Sequence, residues 1–449
     1  MDNAFVPYQF GYDYGIGVKS STGGRMQLGA KGAPTQVQGA SGGSGGFQMI
    51  QITQTSELED HLGISADASG GVGLFSASDR FNFSRDCKIQ TNSISLLLTC
   101  TVQNGFSQID QPVLDPAAAQ LVANGQADLF AQRYGDCFVA GIESGGQFFG
   151  VVRIDVKSES DHQTIENSLS GSYGPFSADV NVKVQSALQT TQSSAETFLY
   201  YEGGNVQTKP QTPKELFAAA DEWSRSVQQA PKPYTALLLP WIIANGPNPP
   251  NAADLEHQRD VLKSCAKLRS AVIDRLNIIE YIQDNTAQFV LKTGDSDRLS
   301  NLHAAISGDY DIIEDAASYA IDNAKLAVEP ETYARTVKNL TNYSLTTLSG
   351  LPSRVDASSI LVPDFSQARD WDAMNAMATK NKLTLNYVNS GANPTYVFVS
   401  QSPAAGTNVA IGTTVTVVGK SQPPRPFLVT PMFLGVARTI MRPTFIGKH

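Results

Sequence analysis

The sequence predicts a mixed α+β protein, in which a strand-rich first half is followed by helices. Alternating apolar and polar residues indicate strands in the first half, as between Ile94 and Val102. Apolar side chains at helical spacing follow at 254–292, and further helices are expected over 297–340. Charged residues make up only 17% of the chain. This composition is typical of a β-rich extracellular protein rather than of a helical cytosolic enzyme.

Length and charge limit the classes of function. The 449 residues allow roughly two to four domains. A formal net charge of −9 argues against nucleic acid as a partner, because phosphate binding needs a basic surface. No apolar run approaches the roughly 20 residues of a transmembrane helix, and Met1 to Gly17 lacks the features of a conventional signal peptide. We therefore expect a protein that is made soluble and is secreted without a conventional signal peptide.

Common catalytic motifs are absent from the sequence. It contains no Gly-x-Ser-x-Gly, no His-Glu-x-x-His, no phosphate loop and no dinucleotide fingerprint. The four cysteines have no metal-like spacing and need not pair; they are Cys87, Cys100, Cys137 and Cys265. We therefore expect no enzymatic activity, no cofactor and no metal.

The stretch from Tyr134 to Val156 organises the first half of the chain. Two runs rich in aromatic and β-branched residues lie on either side of Gly145 and Gly146. Taken alone, this pattern predicts two adjacent strands that meet at a turn. A core strand is predicted before it at Thr91–Val102, and a helical stretch at Pro116–Phe130.

Two long segments on either side of this stretch alternate apolar and polar residues at period two. In the first, the even positions from Leu62 to Leu74 are non-polar, and odd positions are mostly apolar from Phe75 to Ile89. In the second, the even positions are apolar from Phe176 to Leu188, with one exception. Such alternation places one apolar face along an extended strand. Ordinary half-buried strands of a two-layer β protein would show the same pattern.

This arrangement resembles the membrane attack complex/perforin (MACPF) family. The family signature is Tyr/Trp-Gly-Thr-His-Tyr/Phe, followed shortly by Gly-Gly. Asp136 and Cys137 stand in place of the usual Thr and His. The positions that match are Tyr134, Gly135, Phe138, Gly145 and Gly146.

The resemblance covers about residues 47–345 and implies a fold. We expect a bent central antiparallel sheet with two flanking helical clusters, at about 55–92 and 158–194, that convert to amphipathic transmembrane hairpins. The two glycines would be hinge or turn positions near the bend of the sheet. The residues expected to face lipid after conversion are Leu62, Ile64, Val72, Leu74, Phe81, Phe83, Phe176, Val180, Val182, Val184 and Leu188.

The composition and the resemblance together divide the chain into four regions. Residues 1–46 form a Gly/Ser-rich N-terminal segment with flexible linker composition, and 47–350 form the MACPF-like domain. Motifs at 362–364, 401–403, 406–409 and 412–417 resemble the PASTA domain, so that 361–419 is expected to be a small βαβββ module. Residues 420–449 form a basic tail, which either packs on the body or touches an anionic surface.

The resemblance implies a secreted pore-forming toxin or defence protein, with bacterial defence or insecticidal action as plausible roles. Its partners would be lipid or a receptor on the target-cell membrane, and further copies of itself in a ring. A non-lytic binding or adhesion protein that recognises a cell surface through the PASTA-like module is the alternative. A cell-wall enzyme acting through that module is a third interpretation.

Overall fold

One antiparallel sheet contains most of the strands of the body. The computed structural model describes residues 4–37, 43–44, 46–66, 78–176, 178–246, 253–354, 359–368, 371–389, 396–410 and 412–421. The strands of the body are β1 (Ala4–Pro7), β2 (Ile16–Lys19), β3 (Gly24–Leu28), β4 (Ala30–Lys31), β5 (Pro34–Gln36), β6 (Gly43–Ser44), β7 (Gln48–Ile52), β8 (Ser93–Ile109), β9 (Val113–Leu114), β10 (Cys137–Asp155), β11 (Gly174–Pro175), β12 (Ser194–Glu202) and β13 (Lys232–Pro240). All of them join the main sheet except β4 and β9, which pair with each other.

Strands β8 and β10 form the centre of the sheet. They pair from Ser93 opposite Asp155 to Gln108 opposite Gly141. The other side of β10 pairs with β13 along its first half and with β12 along its second half. The other side of β8 pairs in turn with β7, β6 and β5. The body of the sheet is thus four strands wide, and each outer position is shared by shorter strands.

Helices cover the sheet and continue beyond it. In chain order the helices of the body are α1 (Thr55–His61), α2 (Asp79–Asp86), α3 (Pro116–Ala123), α4 (Ala127–Tyr134), α5 (Glu159–Leu169), α6 (Ala178–Thr191), α7 (Pro213–Ser226), α8 (Ala253–Asp284), α9 (Asp295–Asp322) and α10 (Pro330–Thr336). The predicted helical regions at 254–292 and 297–340 correspond to α8, α9 and α10, whose apolar side chains share one core. Within the described ranges, no helix has the length and apolarity needed to cross a bilayer.

The N-terminal segment is part of the sheet. β1 pairs with β13 and β2 pairs with β10, so the prediction of a flexible segment over 1–46 is wrong for 4–37. Its glycine-rich composition suggested flexibility, but here a glycine allows two backbone segments to approach closely. A Cβ on Gly17 would lie 2.1 Å from the carbonyl oxygen of Tyr134. The Gly39–Gly46 run lies largely outside the described residues.

The stretch predicted as a hairpin forms one strand instead. β10 continues through both glycines without a turn. The register with β8 shifts between Ser144 and Gly145, and Gly145 has a φ of 143°. Such a shift is a β-bulge, which bends a strand without ending it. The helical stretch predicted at Pro116–Phe130 is divided into α3 and α4.

The two alternating segments contain helices in this structure. Residues 79–86 form α2, and residues 178–191 form α6. Ordinary half-buried strands are therefore the wrong interpretation for these residues. Helices are what the resemblance implies for the soluble form. Val72 and Leu74 lie outside the described residues.

The C-terminal unit has its own core and sheet. Its elements are β14 (Ser359–Leu361), α11 (Trp371–Lys380), β15 (Thr384–Asn389), β16 (Tyr396–Ser402), β17 (Asn408–Ala410) and β18 (Thr414–Ser421). β18 pairs in parallel with β15 and antiparallel with β16, while β14 pairs with β17. This order has one strand more than the predicted βαβββ module. Residues 422–449, and with them nearly all of the predicted basic tail, lie outside the described part of the chain.

We predict that residues 1–355 fold without the C-terminal unit. The buried residues of that unit form a separate cluster around Phe365 and Met374, so its removal leaves the cores of the body intact. Circular dichroism of the truncated chain should show a folded α+β spectrum and a cooperative thermal transition. An aggregated or unfolded product would contradict independence of the body.

Candidate functional site

The bulge in β10 is the tightest point of the central sheet. A Cβ on Gly145 would lie 1.9 Å from the carbonyl oxygen of Val102, and one on Gly146 would lie 2.4 Å from that of Glu202. Gly203 approaches from the end of β12, where a Cβ would lie 2.1 Å from the carbonyl oxygen of Gly145. Side chains larger than hydrogen therefore cannot occupy these positions unless the strands separate. The signature glycines hold three strands in close contact at the bulge.

The remaining signature residues anchor the start of β10. Tyr134 ends α4, and the Phe138 ring stacks on Trp241 at 4.9 Å between centroids. The Trp241 indole donates a hydrogen bond of 3.2 Å to the carbonyl oxygen of Gly135. Gly135 has a φ of 72° and passes close to Val18. These contacts fix strand β2 and the end of β13 to the same point of β10.

The two departures from the family signature have local roles. The Asp136 carboxylate accepts hydrogen bonds from the backbone N–H and the hydroxyl of Ser20, and so holds the turn that follows β2. The Cys137 thiol is fully buried and donates to the carbonyl oxygen of Val18. Both residues therefore support attachment of the N-terminal strands to β10.

A buried arginine attaches the first of the two flanking segments (about 55–92) to the sheet. The Arg80 side chain on α2 is 4% exposed and forms an ion pair of 2.6 Å with Glu202 at the end of β12. It also donates to the carbonyl oxygens of Leu62 and Tyr234, at 2.6 and 3.0 Å. One guanidinium thus joins the two described pieces of the segment, 55–66 and 78–92, to the outer strands β12 and β13.

Helix α8 holds the same segment from the other side. The Asp274 carboxylate accepts from the backbone N–H of Thr55 at 2.8 Å, and the Ser270 hydroxyl donates to Glu59. The Asn277 side chain donates to the carbonyl oxygen of Ile89 at 3.0 Å. Burial raises the pKa of Asp274 to about 6 and also raises the pKa of Glu59. The segment is therefore held by these polar contacts together with the buried apolar side chains of Leu58, Leu62 and Phe83.

The second flanking segment (about 158–194) contacts the C-terminal unit through Glu166 on α5. The Glu166 carboxylate accepts from Gln51 at 2.9 Å and pairs with the Lys380 ammonium at 2.8 Å. Although burial opposes the shift, the charges of His162 and Lys380 hold the pKa of Glu166 below its usual range. Lys380 ends helix α11. The C-terminal unit thus touches the segment on the face that lies next to β7.

Helix α6 shows how one sequence satisfies two periodicities. Val180, Val184 and Ala187 are buried in the main core, as expected for side chains three and four residues apart on one helix face. Val182 lies between them in the alternating row and is 68% exposed. The helix leaves this valine in water, whereas an extended strand would place it on the same face as Val180 and Val184.

Of the other residues predicted to face lipid, some are buried in the core and some are partly buried. Leu62 and Phe83 are buried, and they pack with Ile52, Cys87 and Ile89. Those that are partly buried are Ile64, Phe81, Phe176 and Leu188. In this structure, therefore, the predicted lipid-facing set is largely held against the sheet.

Several residues that fix the segments were not identified from the sequence. Arg80 lies at an even position between Phe75 and Ile89, among the polar residues that alternate with the apolar ones. Glu202, Asp274 and Lys380 belong to no sequence pattern. An arginine amid short polar residues is a weak signal, and its partner is 122 positions away. In the described residues, no group of three or more His, Cys, Asp or Glu side chains is placed to hold a metal ion.

Among known proteins, only solved structures are similar to this chain, and the similarity is remote. No protein-family model matches the chain, and no curated protein sequence matches it. Stonustoxin is 12% identical at a TM-score of 0.39, over 75% of this chain and 45% of that chain. Wild-type pneumolysin is 9% identical at a TM-score of 0.26, over 47% and 42%. A putative cell invasion protein with a MAC/Perforin domain from Bacteroides thetaiotaomicron is 10% identical at a TM-score of 0.23, over 54% and 56%.

This chain spans about half the length of these structures. At such identities and TM-scores the similarity does not establish a shared activity.

We predict that Gly145→Ala destabilises the protein much more than Gly125→Ala. Both glycines have positive φ, but Gly125 has no atom within 4 Å of an added Cβ. The Gly125 variant should lose about 1 kcal/mol from backbone strain alone. The Gly145 variant should lose about 3 kcal/mol or more, because the Cβ also separates β10 from β8. Urea denaturation measures the free energy of unfolding of each variant. Equal losses would refute the idea that Gly145 is needed for the close approach of β10 to β8.

Arg80→Ala should lower the free energy of unfolding by about 3 kcal/mol, because Glu202 is left without its cation in a largely buried site. Lys88→Ala is the matched control, since Lys88 pairs with Glu280 at the surface and is 51% exposed. That loss should stay below about 1 kcal/mol. Similar losses in the two variants would show that Arg80 does not fix the segment.

Proposed function

We propose that this chain is a perforin-like pore-forming protein. It leaves the producing cell as a soluble monomer and assembles into a ring on a target membrane. Residues of about 55–92 and 158–194 then insert as amphipathic β-hairpins. In this proposal the chain acts without catalysis.

The exposure of Val182 is the observation that carries the proposal. At a solvated helix position valine buries no apolar surface, and it is a poorer helix former than Glu, Gln, Lys or Arg. In a strand that crosses a bilayer, the same valine joins Val180 and Val184 on the lipid face, and Asn181, Lys183 and Gln185 line the lumen. The side chain is therefore explained by the inserted state rather than by the soluble one.

The attachment of the segments also supports conversion. Helices α1 and α2 are joined to β12 and α8 through side-chain hydrogen bonds, the Arg80–Glu202 ion pair and apolar contacts such as that of Phe83 with Tyr200. None of these is a backbone hydrogen bond of the β8–β10 ladder. Segments of this kind can leave a sheet while its central ladder stays paired. The central ladder of β8 and β10 then provides the template on which the released segments extend as strands.

We assign recognition of the target surface to the C-terminal unit. It folds around its own core and meets the body at the second segment through Lys380 and Glu166. Lipid or a receptor bound there would bring the second segment close to the membrane. A chain lacking this unit should lose cell binding before it loses the ability to permeabilise pure lipid.

Val182→Lys tests the proposal directly. The fold should be unaffected, because the side chain is exposed on α6. In the inserted strand a lysine facing lipid near the bilayer midplane costs about 2–4 kcal/mol per strand, and the ring repeats this cost in every subunit. We expect binding and ring formation to persist and dye release from liposomes to stop.

Gln185→Lys is the matched control, because it adds the same charge three residues away but faces the lumen in the inserted strand. Asn181→Lys should also be tolerated in the barrel, but Asn181 has a buried side-chain oxygen in the soluble form. Equal dye release from the Val182 and Gln185 variants, with both folded, would show that the segment does not cross the bilayer. Wild-type protein that binds cells without forming rings or releasing dye would favour the non-lytic adhesion protein.

A further inference from the structure

We propose that Arg354 is a stop that ends strand β10 at Asp155 in this structure, and that movement of the C-terminal unit withdraws it. The inference rests on the proposed function, because insertion of the second flanking segment as a hairpin requires β10 to grow past this point. Arg354 belongs to neither flanking segment. It lies in the stretch of chain that leads into the C-terminal unit, so it can connect that unit to the start of the second segment.

Three strands of the central sheet stop at the same level. Asp155 of β10 lies opposite Ser93 of β8 and opposite Ser194 of β12. Beyond this level the chain belongs to the two flanking segments. A strand with a neighbour on each side pairs every backbone carbonyl with one of them. β10 can therefore grow beyond Asp155 only if the carbonyl of Val156, the next residue, is free to join the ladder.

The Val156 carbonyl already has two partners outside the sheet. Its oxygen accepts a hydrogen bond from the Arg354 guanidinium at 2.8 Å, and the Tyr281 hydroxyl of α8 lies 3.1 Å from the same oxygen. These two donors occupy both lone pairs of the oxygen. Val156 and Arg354 are buried, so water does not compete for the contact. While the two donors stay in place, the ladder cannot include Val156.

The Arg354 guanidinium is held in a way that favours release. It donates to the Gln288 side chain at 3.1 Å, but its Nε and Nη1 have no hydrogen-bond partner among the described residues. Burial lowers the pKa of Arg354, although the carboxylates of Glu159 and Asp161 attract its charge. Buried donors without acceptors cost free energy, and this cost is recovered when they return to water. Arg354 therefore blocks β10 without being strongly bound there.

The C-terminal unit is tied to this stop by a short piece of chain. Its first strand, β14, begins at Ser359. The chain between Arg354 and Ser359 spans at most roughly 17 Å when fully extended, so a larger displacement of the unit pulls on Arg354. The unit also touches the second segment through the Lys380–Glu166 ion pair. Movement of the unit toward a target surface would release both contacts together.

Hydrogen exchange of the chain in solution tests the stop without any membrane. In Arg354→Ala the amide protons of α5 should exchange at least about tenfold faster, which corresponds to about 1.4 kcal/mol, because the start of the second segment loses its anchor. Exchange in α2 should be unchanged. Arg80→Ala is the matched control and should give the reverse pattern, since Arg80 holds the first segment.

Tyr281→Phe is a milder variant of the same network, because it removes only the hydroxyl next to Val156. It should accelerate exchange in α5 by a smaller factor and leave α2 unchanged. Unchanged exchange of α5 in both the Arg354 and the Tyr281 variants overturns the stop.

A disulfide between positions 290 and 353 holds Arg354 in place. The N–H of Val290 donates to the carbonyl oxygen of Ser353 at 2.8 Å, next to the antiparallel bridge of Phe289 with Arg354. Opposed residues of this kind have Cβ atoms about 4.5–5.5 Å apart, near the reach of a disulfide. Val290 and Ser353 are exposed to oxidant, whereas the four native cysteines are buried. Oxidised V290C/S353C should bind liposomes but release dye at least about tenfold more slowly than the reduced form.

The two experiments separate the stop from the pore. Equal dye release from oxidised and reduced V290C/S353C overturns the claim that Arg354 has to leave before insertion. If the wild-type protein releases no dye at all, the proposed pore function fails instead. Hydrogen exchange in the Arg354 and Tyr281 variants then decides whether Arg354 anchors the start of the second segment.

Discussion

The hydrogen-bonded ladder between β8 and β10 is the constraint on which the rest of the body depends. These strands have 17 and 19 residues, and every outer strand of the sheet body pairs with one of them or with a strand that does. The bulge at Gly145 changes the register within this ladder, so it also sets where β13 gives way to β12 on the far side. A change at the bulge is therefore transmitted to both outer positions.

In the proposed pore-forming role, the segments on either side of the ladder carry a second constraint, because their side chains have to suit two conformations. A helix needs apolar residues three and four positions apart, whereas a strand needs them at every second position. Val180 and Val184 satisfy both requirements, since their spacing of four is common to the two periods. Val182 satisfies only the second requirement, and this difference is what the proposed extended state accounts for.

The sequence predicted the strands and helices of the body where local patterns were strong. Ile94–Val102 lies in β8, and the apolar spacing at 254–292 marks α8. The predictions were wrong where glycine serves close packing of strands instead of flexibility. Glycine-rich composition predicted flexibility in the N-terminal segment and a turn at Gly145, although in both places glycine allows strands to approach closely. Arg80 was missed because its importance comes from burial against Glu202, and contacts between distant positions leave no local pattern.

The arrangement of the four cysteines makes the fold independent of the redox state of its surroundings. None of them forms a disulfide, all are buried, and each lies in a different core cluster. Burial raises the pKa of the Cys87 and Cys137 thiols well above the usual range, so the reactive thiolate is scarce at neutral pH. A protein with this arrangement keeps the same covalent structure in reducing and in oxidising surroundings, because no sulfur bond has to form or break. Its stability then rests on packing, hydrogen bonds and ion pairs, none of which depends on the redox potential.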